Sequence, residues 1–417
     1  MRQPRMLICG CLYGAGNIGD EAILLGLLEL LPKEAEKGVC AIGHHEVYRS
    51  YNMRVFDHGP IATLLALIWA DVAILGGATL LSDPMGFGYP VSHCARILEL
   101  AEAMGRPVVI MGIGATRLHD PTALLLARRS YGKARKVFVR NEWSRQSFLD
   151  QVSTTADQVV ALADPAFFLR GHVRSLDQAD YLTHAGIKCV PGRRMIAVSV
   201  VNEGFEKGRD YLRQIAQACD ALSRDHKCDI VFVYSEIRAG NRYDQAAALQ
   251  VKAAMTCPWQ ELKPDFYNPL RFARLLGEFD CLITMRMHVA ILGSLCGVPI
   301  AAIVREEKVM QTLSELELQA AGDIDTLNGR ELTRFVLKQL DERPAIQSRL
   351  EARVDRLLTG AAERLRENIE WSTLVRGRVS PLRLLVLLGE ILSSRIFRGL
   401  KEWLGRSNRP KTMEGAP

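Results

Sequence analysis

The 417-residue sequence lacks several features that would place it in a specialised class of protein. It has no internal repeats and no low-complexity tracts, which argues against solenoids and fibrous proteins. Its formal net charge is only +6, with acidic and basic residues interspersed through most of the chain, so we expect no nucleic-acid binding. No spacing of His, Cys, Asp and Glu typical of a metal site stands out. We therefore predict no cofactor and leave a need for a divalent metal open.

Disulfide patterns and membrane-spanning runs are also missing. The ten cysteines are scattered, include no Cys-x-x-Cys pair and lie mostly in apolar runs, as Cys281 and Cys296 do. This distribution favours a reducing, cytoplasmic setting over a disulfide framework. The apolar stretch from Ile61 to Leu75 is interrupted by Asp71, so it predicts a helix and a buried strand rather than a membrane span. The basic N-terminus precedes a strand-length apolar run, which does not resemble a signal peptide.

Short apolar runs bounded by glycine alternate with helix-like segments in two series. Such alternation predicts parallel sheets covered by helices. The predicted strands are Met6–Cys11, Val72–Leu75, Val108–Ile113 and Lys136–Val139 in the first series, and Met195–Val201, Asp229–Tyr234, Cys281–Thr284 and Pro299–Val304 in the second. We predict an α/β, GT-B-like protein whose two doubly wound, Rossmann-like domains face a cleft. The predicted domains are residues 1–180 and 181–345, followed by a helical, basic tail at 346–417.

The first glycine-rich loop leads directly into a predicted apolar helix. Its Gly14, Gly16 and Gly19 match the Gly-x-Gly-x-x-Gly pattern of dinucleotide sites, but Asp20 would place a negative charge beside a bound pyrophosphate. We therefore do not predict a nucleotide there. Asn17 and Asp20 either contact saccharide hydroxyls across the cleft or only cap the helix.

Other loops end strands of the first domain at the same predicted edge. Gly76 and Gly77 shape the cleft floor or simply allow close packing. Arg140 follows a strand and has the geometry to bind a carboxylate or phosphate, although surface arginines are common. Asp164 precedes a proline and fits a ligand contact or a turn.

The second domain contains Arg286-Met287-His288, between a buried strand and an apolar helix. Free N–H groups at a helix start favour anions, so an anionic substrate fits there. A desolvated arginine in an apolar stretch needs a negative partner, for which Asp280 is a candidate at the opposite end of the strand. A lone histidine is more often structural, but this context favours a catalytic role for His288.

Together these motifs resemble the polysaccharide pyruvyl transferase family. The resemblance rests on Gly16 to Ala22, Gly76-Gly77, Arg140 to Ser144, Ala163 to Pro165, Arg286 to His288 and Cys296 to Pro299, which extend over roughly three quarters of the chain. Two positions depart from the family pattern: Asn141 replaces the usual aspartate and Ala78 replaces a third glycine. Neither touches the Arg-Met-His core.

The resemblance implies a GT-B-like enzyme that moves a pyruvyl group from phosphoenolpyruvate onto two hydroxyls of a saccharide, forming a ketal. It implies that Arg286 and His288 hold or protonate the donor. The predicted site residues are as follows: catalytic, His288 and Arg286; donor-binding, Arg140, Arg286, His288 and Lys308; acceptor-binding, Asn17, Asp20, Gly76, Gly77 and Asp164. Lys308 also fits a solvated surface lysine.

From Thr373 to Lys411 the sequence is basic and amphipathic. This pattern suits an anionic membrane surface, or a helix that docks on the protein itself or on a second copy. The acceptor is expected to be a lipid-linked saccharide, and a tail near the lipid would raise its effective concentration. Such an enzyme would be cytoplasmic and peripheral to the membrane.

Two other functions fit the same pattern. A GT-B glycosyltransferase would use a nucleotide-sugar and needs a late acidic residue for the ribose, for which Glu306 and Glu307 are candidates. A non-catalytic saccharide-binding protein would retain Arg286 and His288 as structural residues only. The acceptor sugar, its hydroxyls and the oligomeric state are not predicted.

Overall fold

The chain forms two parallel α/β sheets that face each other across a cleft. A computed structural model describes residues 3–83, 91–176, 180–202, 210–238, 240, 243–374 and 376–389. The first sheet has the strand order β3-β2-β1-β4-β5-β6-β7 and the second the order β10-β9-β8-β11-β12-β13. All named pairs are parallel. This is the predicted GT-B-like, doubly wound architecture.

The first sheet and its helices occupy the N-terminal part of the chain. Its strands are β1 (Arg5–Cys9), β2 (Glu36–Ala41), β3 (Arg54–Asp57), β4 (Val72–Gly76), β5 (Val108–Ile113), β6 (Lys136–Val139) and β7 (Val159–Ala161). Its helices are α1 (Ile18–Leu30), α2 (His45–Ser50), α3 (Pro60–Trp69), α4 (Val91–Ala103), α5 (Pro121–Ser130), α6 (Glu142–Gln151), α7 (Arg170–Ser175) and α8 (Tyr181–His184). The central strands β1, β4 and β5 are almost entirely buried, as their continuous apolar sequences require.

The second sheet repeats this plan. Its strands are β8 (Arg194–Ser199), β9 (Cys228–Phe232), β10 (Gln260–Glu261), β11 (Cys281–Thr284), β12 (Ile300–Val304) and β13 (Gly322–Asp323). Its helices are α9 (Tyr211–Asp225), α10 (Asp244–Ala254), α11 (Pro269–Leu276), α12 (Met287–Ser294), α13 (Glu307–Glu315) and α14 (Gly329–Asp341).

The long helix α15 (Arg343–Asn368) joins the two halves. Arg343 at its start forms an ion pair with Asp280 of the second domain. Near its end, the Arg364 Nε donates to the carbonyl of Ala161, at the last residue of β7, over 2.7 Å. The helix therefore crosses from one domain to the other.

Part of the basic tail returns to the first domain. The Gly377 N–H donates to the Gly105 carbonyl over 2.7 Å, and Arg376 pairs with Asp71 at 2.6 Å. Helix α16 (381–389) follows, with Leu387 buried against the core of the first domain. Residues 376–389 of the tail therefore pack on the first domain. Residues 390–417 lie outside the described part of the chain.

No helix within the described ranges combines the length and apolar character that crossing a membrane requires.

Candidate functional site

The site lies where the carboxyl ends of strands from both sheets meet, at the points where the strand order reverses. A pocket of about 350 Å³ occupies this position. Its residues come from the loops after β1, β4, β6, β9, β11 and β12. They are Cys11, Leu12, Asn17, Asp20, Ala78, Thr79, Leu80, Ser82, Arg140, Ser235, Arg238, Arg286, Met287, His288, Arg305 and Lys308.

The loop after β1 closes one side of the pocket by pairing with the second domain. The Ile18 N–H donates to the Ser235 carbonyl, and the Ile237 N–H donates to the Gly16 carbonyl, each over 2.9 Å. The Asn17 Oδ1 accepts from the Gly19 N–H over 2.9 Å and caps α1. Asn17 therefore caps the helix and also lines the pocket, and its contact with a saccharide stays a prediction.

Gly19 is required by the histidine of the opposite domain. A β-carbon at residue 19 would lie 2.2 Å from the His288 Nδ1, a distance that real contacts do not reach. The imidazole thus packs directly on the start of α1. The glycine pattern that resembled a dinucleotide loop instead makes room for a side chain from the second domain.

His288 lies between the two domains with a buried carboxylate behind it. Its Nε2 is 3.6 Å from the Asp164 Oδ2, and the Arg140 guanidinium approaches the same oxygen at 3.7 Å. Burial alone would raise the pKa of Asp164, but the His288 ring and Arg140 outweigh it and hold this pKa below its ordinary value. Asp164 is therefore a permanent anion that faces an imidazole and a guanidinium.

Asp164 also has a local structural role. Its Oδ1 accepts from the Ala166 N–H over 3.0 Å and caps a short 3-10 turn, Pro165–Leu169. The other oxygen, Oδ2, has no hydrogen-bond partner within the described chain, and the same holds for the Arg140 Nε and the His288 Nε2. Three buried polar atoms around one point are expensive unless a ligand satisfies them.

Arg140 reaches the pocket through the space that Gly114 leaves in the loop after β5. It is 3% exposed, and its Nη2 donates to the Thr79 Oγ1 over 3.1 Å. Gly114 allows this, because a β-carbon there would lie 2.3 Å from the same nitrogen. The loop after β5 thus contributes space, and the loop after β4 contributes a hydroxyl.

Arg286 is anchored by a residue that sequence reasoning missed. Its Nε donates to the Asp244 Oδ1 over 2.8 Å, and its Nη2 bonds to the same oxygen. The predicted partner, Asp280, is wrong: it accepts from the Met195 N–H over 2.7 Å and pairs with Arg343 at the far end of β11. Asp244 begins α10, where the turn after β9 brings it under Arg286.

Asp20 lies on the pocket wall near His288. Burial raises the pKa of its carboxyl above the ordinary value, and the His288 ring offsets this only in part. Asp20 and Asp164 thus differ in proton affinity on either side of one imidazole. Asp164 is the carboxyl group that holds its proton less tightly, and Asp20 is the one that holds it more tightly.

Lys308 is only partly exposed, with 30% of its side chain accessible to solvent. It lines the pocket, and its Nζ lies 3.0 Å from the Glu306 Oε1. Burial lowers the pKa of the Lys308 ammonium, although the Glu306 carboxylate opposes this effect. Arg305 forms an ion pair with the same carboxylate.

Three predicted positions relate to the pocket less directly. Gly76 and Gly77 lie beneath it, packed against Tyr13 and the aliphatic side chains of α1, while residues 78–82 provide the lining. Asp164 lies behind Arg140 and His288. The pocket also contains Arg238 and Arg305, which we did not predict. Each follows a strand of the second sheet, and that position is the signal that could have found them.

Carboxylates behind the pocket hold most of its cations in place. Arg238 forms a bidentate pair with Glu236, at 2.8 and 2.6 Å. Glu236 and Asp244 are each 1% exposed, so they contact their arginines from the protein side. Five cationic side chains line the cavity, whereas Asp20 is the only carboxylate among the described lining residues. The surface that a ligand meets is therefore strongly positive.

No three His, Cys, Asp or Glu side chains in the described parts of the chain form a group that could hold a metal ion.

Comparison with solved structures shows the fold. A UDP-N-acetylglucosamine 2-epimerase from Listeria monocytogenes, described as putative, superimposes with a TM-score of 0.56 at 12% identity, covering 88% of this chain and 98% of that one. Anabaena Alr3699/HepE in complex with UDP-glucose gives 0.59 at 14% identity, covering 88% and 99%. The Neisseria meningitidis UDP-GlcNAc 2-epimerase bound to UDP-GlcNAc gives 0.54 at 12%, with the same two coverages.

Comparison by sequence identifies the family. No curated protein sequence matches the chain. A family model described as polysaccharide pyruvyl transferase, however, matches residues 17–307, from the capping asparagine of α1 to the first residue of α13. Because this match spans well over half of the chain and includes pocket residues from both domains, the protein belongs to the polysaccharide pyruvyl transferase family.

Proposed function

We propose that the protein transfers a pyruvyl group from phosphoenolpyruvate to two hydroxyls of a saccharide, forming a pyruvate ketal during synthesis of a cell-surface polysaccharide or exopolysaccharide. The observation that carries this proposal is the convergence of five cationic side chains on a pocket of about 350 Å³. Phosphoenolpyruvate is a small anion with a phosphate and a carboxylate at opposite ends. Arginine binds both groups in a bidentate manner.

The donor would lie between the two domains. Arg286 uses its Nε and Nη2 for Asp244, which fixes the guanidinium and leaves its other nitrogen for the ligand. Arg140 keeps an unpartnered Nε inside the protein. We assign these two arginines, with Lys308 and Arg305, to the phosphate and carboxylate of the donor.

The reaction needs a proton at the methylene carbon of the donor. We assign this step to His288, which lines the pocket and has its Nε2 3.6 Å from the Asp164 Oδ2. A saccharide hydroxyl then adds to the central carbon and loses its proton to Asp20, the carboxylate that lines the pocket. Phosphate leaves and takes the proton from Asp20 as hydrogen phosphate. The second hydroxyl attacks the resulting oxocarbenium ion, and its proton returns to His288. The balance is one donor and two hydroxyls in, one ketal and one phosphate out.

The acceptor would approach from the first domain. Asn17 and Asp20 line that side of the pocket, with Thr79 and Ser82 from the loop after β4. These groups provide directional hydrogen bonds to sugar hydroxyls. Gly76, Gly77 and Asp164 would support this side from beneath.

The acceptor is proposed to be lipid-linked, with the tail and α3 near the membrane. In α3, Ile61, Leu65 and Ile68 are 48%, 55% and 52% exposed at helical spacing. Arg376 of the docked tail donates to the Ala70 carbonyl at the end of this helix over 3.0 Å. In α16, Leu382 and Leu385 are 76% and 66% exposed. Two apolar faces beside several arginines suit an anionic membrane surface.

A nucleotide-sugar transferase is the competing function. The fold supports it, since Anabaena Alr3699/HepE was crystallised with UDP-glucose. Two observations favour the phosphoenolpyruvate reaction. Glu306, a candidate for the ribose, is engaged with Arg305 and Lys308. Five of the described lining residues are cationic, which suits a small ligand with two anionic groups.

The test is calorimetric titration of phosphoenolpyruvate, with UDP-sugars and GDP-sugars as comparison ligands. The wild type is compared with an Arg286→Ala, His288→Ala double variant. The matched control is His172→Ala, Arg174→Ala, which removes a histidine and an arginine two residues apart from the half-exposed helix α7. We expect saturable binding of phosphoenolpyruvate that only the first double variant loses.

Other outcomes of this titration would overturn the proposal. Binding of a nucleotide-sugar alone would identify a glycosyltransferase. Binding of neither donor by the folded wild type would leave a saccharide-binding protein without this chemistry.

A further inference from the structure

A second cavity adjoins the proposed donor pocket. It has a volume of about 580 Å³ and is formed by α5, α6 and the loop after β5 from the first domain, together with α13 from the second. We call it the α6 groove. Its lining includes Arg117, Arg128, Trp143, Asp150, Glu307 and Gln311. No part of the reaction proposed above uses it.

The α6 groove and the donor pocket are lined by neighbouring residues of the same segments. Glu307 lines the groove and the next residue, Lys308, lines the pocket, so the first turn of α13 separates the two. On the other side, the Thr116 N–H donates to the Leu81 carbonyl over 2.8 Å, which ties the groove lining to the pocket loop. An acceptor that occupied both cavities would have to pass the first turn of α13.

The walls of the groove are held rigidly. The Gln151 Nε2 donates to the Thr116 carbonyl over 3.0 Å, and its Oε1 accepts from the Leu118 N–H over 2.5 Å. Across the domain boundary, the Asn141 Nδ2 donates to the Gln311 Oε1 over 3.3 Å. The groove is thus formed before any ligand arrives, which lowers the entropic cost of binding.

The chemistry of the groove suits sugar rings. Trp143 lines the groove and is 44% exposed, so its indole ring is accessible to a ligand. The electron-rich face of an indole attracts the polarised C–H face of a sugar, while carboxylates, amides and guanidinium groups bond to its hydroxyls. Glu307 and Gln146 provide such groups beside the ring.

We propose that the α6 groove binds the non-reacting sugar residues of the acceptor, while the terminal sugar reaches His288 and Asp20. This inference rests on the proposed function. The volume of the groove, about 580 Å³, lies in the range of ligand sites. The groove would therefore hold sugars beyond the one that reacts. The groove then sets the preference for an oligosaccharide acceptor over a monosaccharide.

The test uses a glycan array that presents monosaccharides to hexasaccharides, probed with the wild type and Trp143→Ala. The matched control is Trp259→Ala, which removes an indole that is 40% exposed and lies in the second domain. We expect the wild type to bind one class of oligosaccharide, Trp143→Ala to bind it at least tenfold more weakly, and Trp259→Ala to bind as the wild type does. Calorimetry with phosphoenolpyruvate should give the same affinity for all three proteins.

Trp143→Phe and Glu307→Gln guard against loss of folding in the alanine variant. The phenylalanine keeps an aromatic face and should restore part of the binding, and the glutamine should weaken it. If the wild type binds no glycan, or if Trp143→Ala and Glu307→Gln bind as the wild type does, the groove is not the acceptor subsite. If glycans bind through Trp143 but phosphoenolpyruvate does not bind, the subsite stands and the proposed transfer reaction is wrong.

Discussion

At the scale of single residues, the site depends on a glycine that contributes no functional group. Gly19 belongs to α1 but lies against the imidazole of His288. We predict that Gly19→Ala lowers kcat on the order of 10²-fold, because the new methyl group displaces the ring from Asp164 and from the donor. Steady-state kinetics with phosphoenolpyruvate and an oligosaccharide acceptor would measure this.

Gly171→Ala is the control for that prediction, since a β-carbon at residue 171 meets nothing within 4 Å. It should leave kcat unchanged. Normal kcat in Gly19→Ala would mean that the position of His288 is not critical, which would contradict its role as the acid.

A buried carboxyl near the site makes stability depend on pH. Glu21 accepts from the Gly14 N–H over 2.7 Å and from the Tyr48 hydroxyl over 2.8 Å. Burial nevertheless dominates and raises the pKa of Glu21 from 4.5 to about 7. A raised folded-state pKa stabilises the protein at pH values below the unfolded value, and this stabilisation is lost as pH rises through the folded value.

We therefore predict that the folded wild type loses stability relative to Glu21→Gln between pH 4.5 and 7. The gap between the two pKa values corresponds to at most about 3 kcal/mol. Urea denaturation of both proteins at pH 5 and pH 8 would test it. A difference between them that does not change with pH would show that Glu21 ionises normally in the folded state.

At the scale of secondary structure, α15 is attached to both domains, and Arg170 is a main point of attachment. This arginine, in α7, is 2% exposed; its Nε donates to Asp355 over 2.6 Å and its Nη1 to the Leu295 carbonyl over 2.7 Å. It therefore joins α7, α12 and α15 at one buried point.

We predict that Arg170→Met lowers the free energy of unfolding by about 2–4 kcal/mol, because a buried carbonyl and a carboxylate lose their donors. Arg174→Met is the control. Arg174 is 49% exposed and pairs with Glu351 over 2.8 Å, and removing such a pair should cost less than about 1 kcal/mol. Equal losses in the two variants, measured by chemical denaturation, would contradict a joining role for Arg170.

The sequence predicted the strands that carry the site, because continuous apolar runs ending in glycine are typical of buried parallel strands. Lys136–Val139 and Cys281–Thr284 agree with the structure residue for residue. Strands β2, β3, β10 and β13 were missed. Residues such as Arg54 and Glu261 face solvent there, so no apolar run marks them.

The sequence also did not predict contacts between segments that lie far apart along the chain. Nothing in the order of residues indicates that Asp244 lies under Arg286, because this contact joins two separate loops of the second domain. Nor does it indicate that Gly19 faces His288, because that contact forms between the two domains. The Arg-Met-His motif was visible because it stands alone between two apolar segments. Asp280 was the wrong partner because proximity in sequence placed it at the other end of a strand.

At the scale of the whole molecule, the cleft and the exposed apolar faces differ in chemistry. The cleft presents cations held by buried carboxylates, whereas α3 and α16 present exposed aliphatic side chains next to arginines on another surface of the first domain. Arg106 is one of these arginines, and its Nε donates to the Leu67 carbonyl of α3 over 3.0 Å. A membrane-bound acceptor would bring the lipid and the reacting sugar to one enzyme at the same time.

We predict that the wild type floats with vesicles of phosphatidylglycerol and phosphatidylcholine, and that raising the salt concentration weakens this binding. An Ile61→Ser, Leu65→Ser, Ile68→Ser variant should bind at least tenfold more weakly, because three aliphatic side chains no longer enter the lipid. Leu125→Ser, Leu249→Ser is the control, since these leucines are 68% and 64% exposed elsewhere. Truncation after Ser372 should also abolish flotation.

The pattern of losses separates the elements. If truncation abolishes flotation and the α3 variant floats normally, the tail alone contacts the lipid and α3 serves another purpose. If the truncated protein floats as the wild type does, the tail is only a docked helix. If all proteins float equally with vesicles of phosphatidylcholine alone, anionic charge plays no part, and the arginines around α3 and α16 serve the fold through contacts such as that of Arg376 with Asp71.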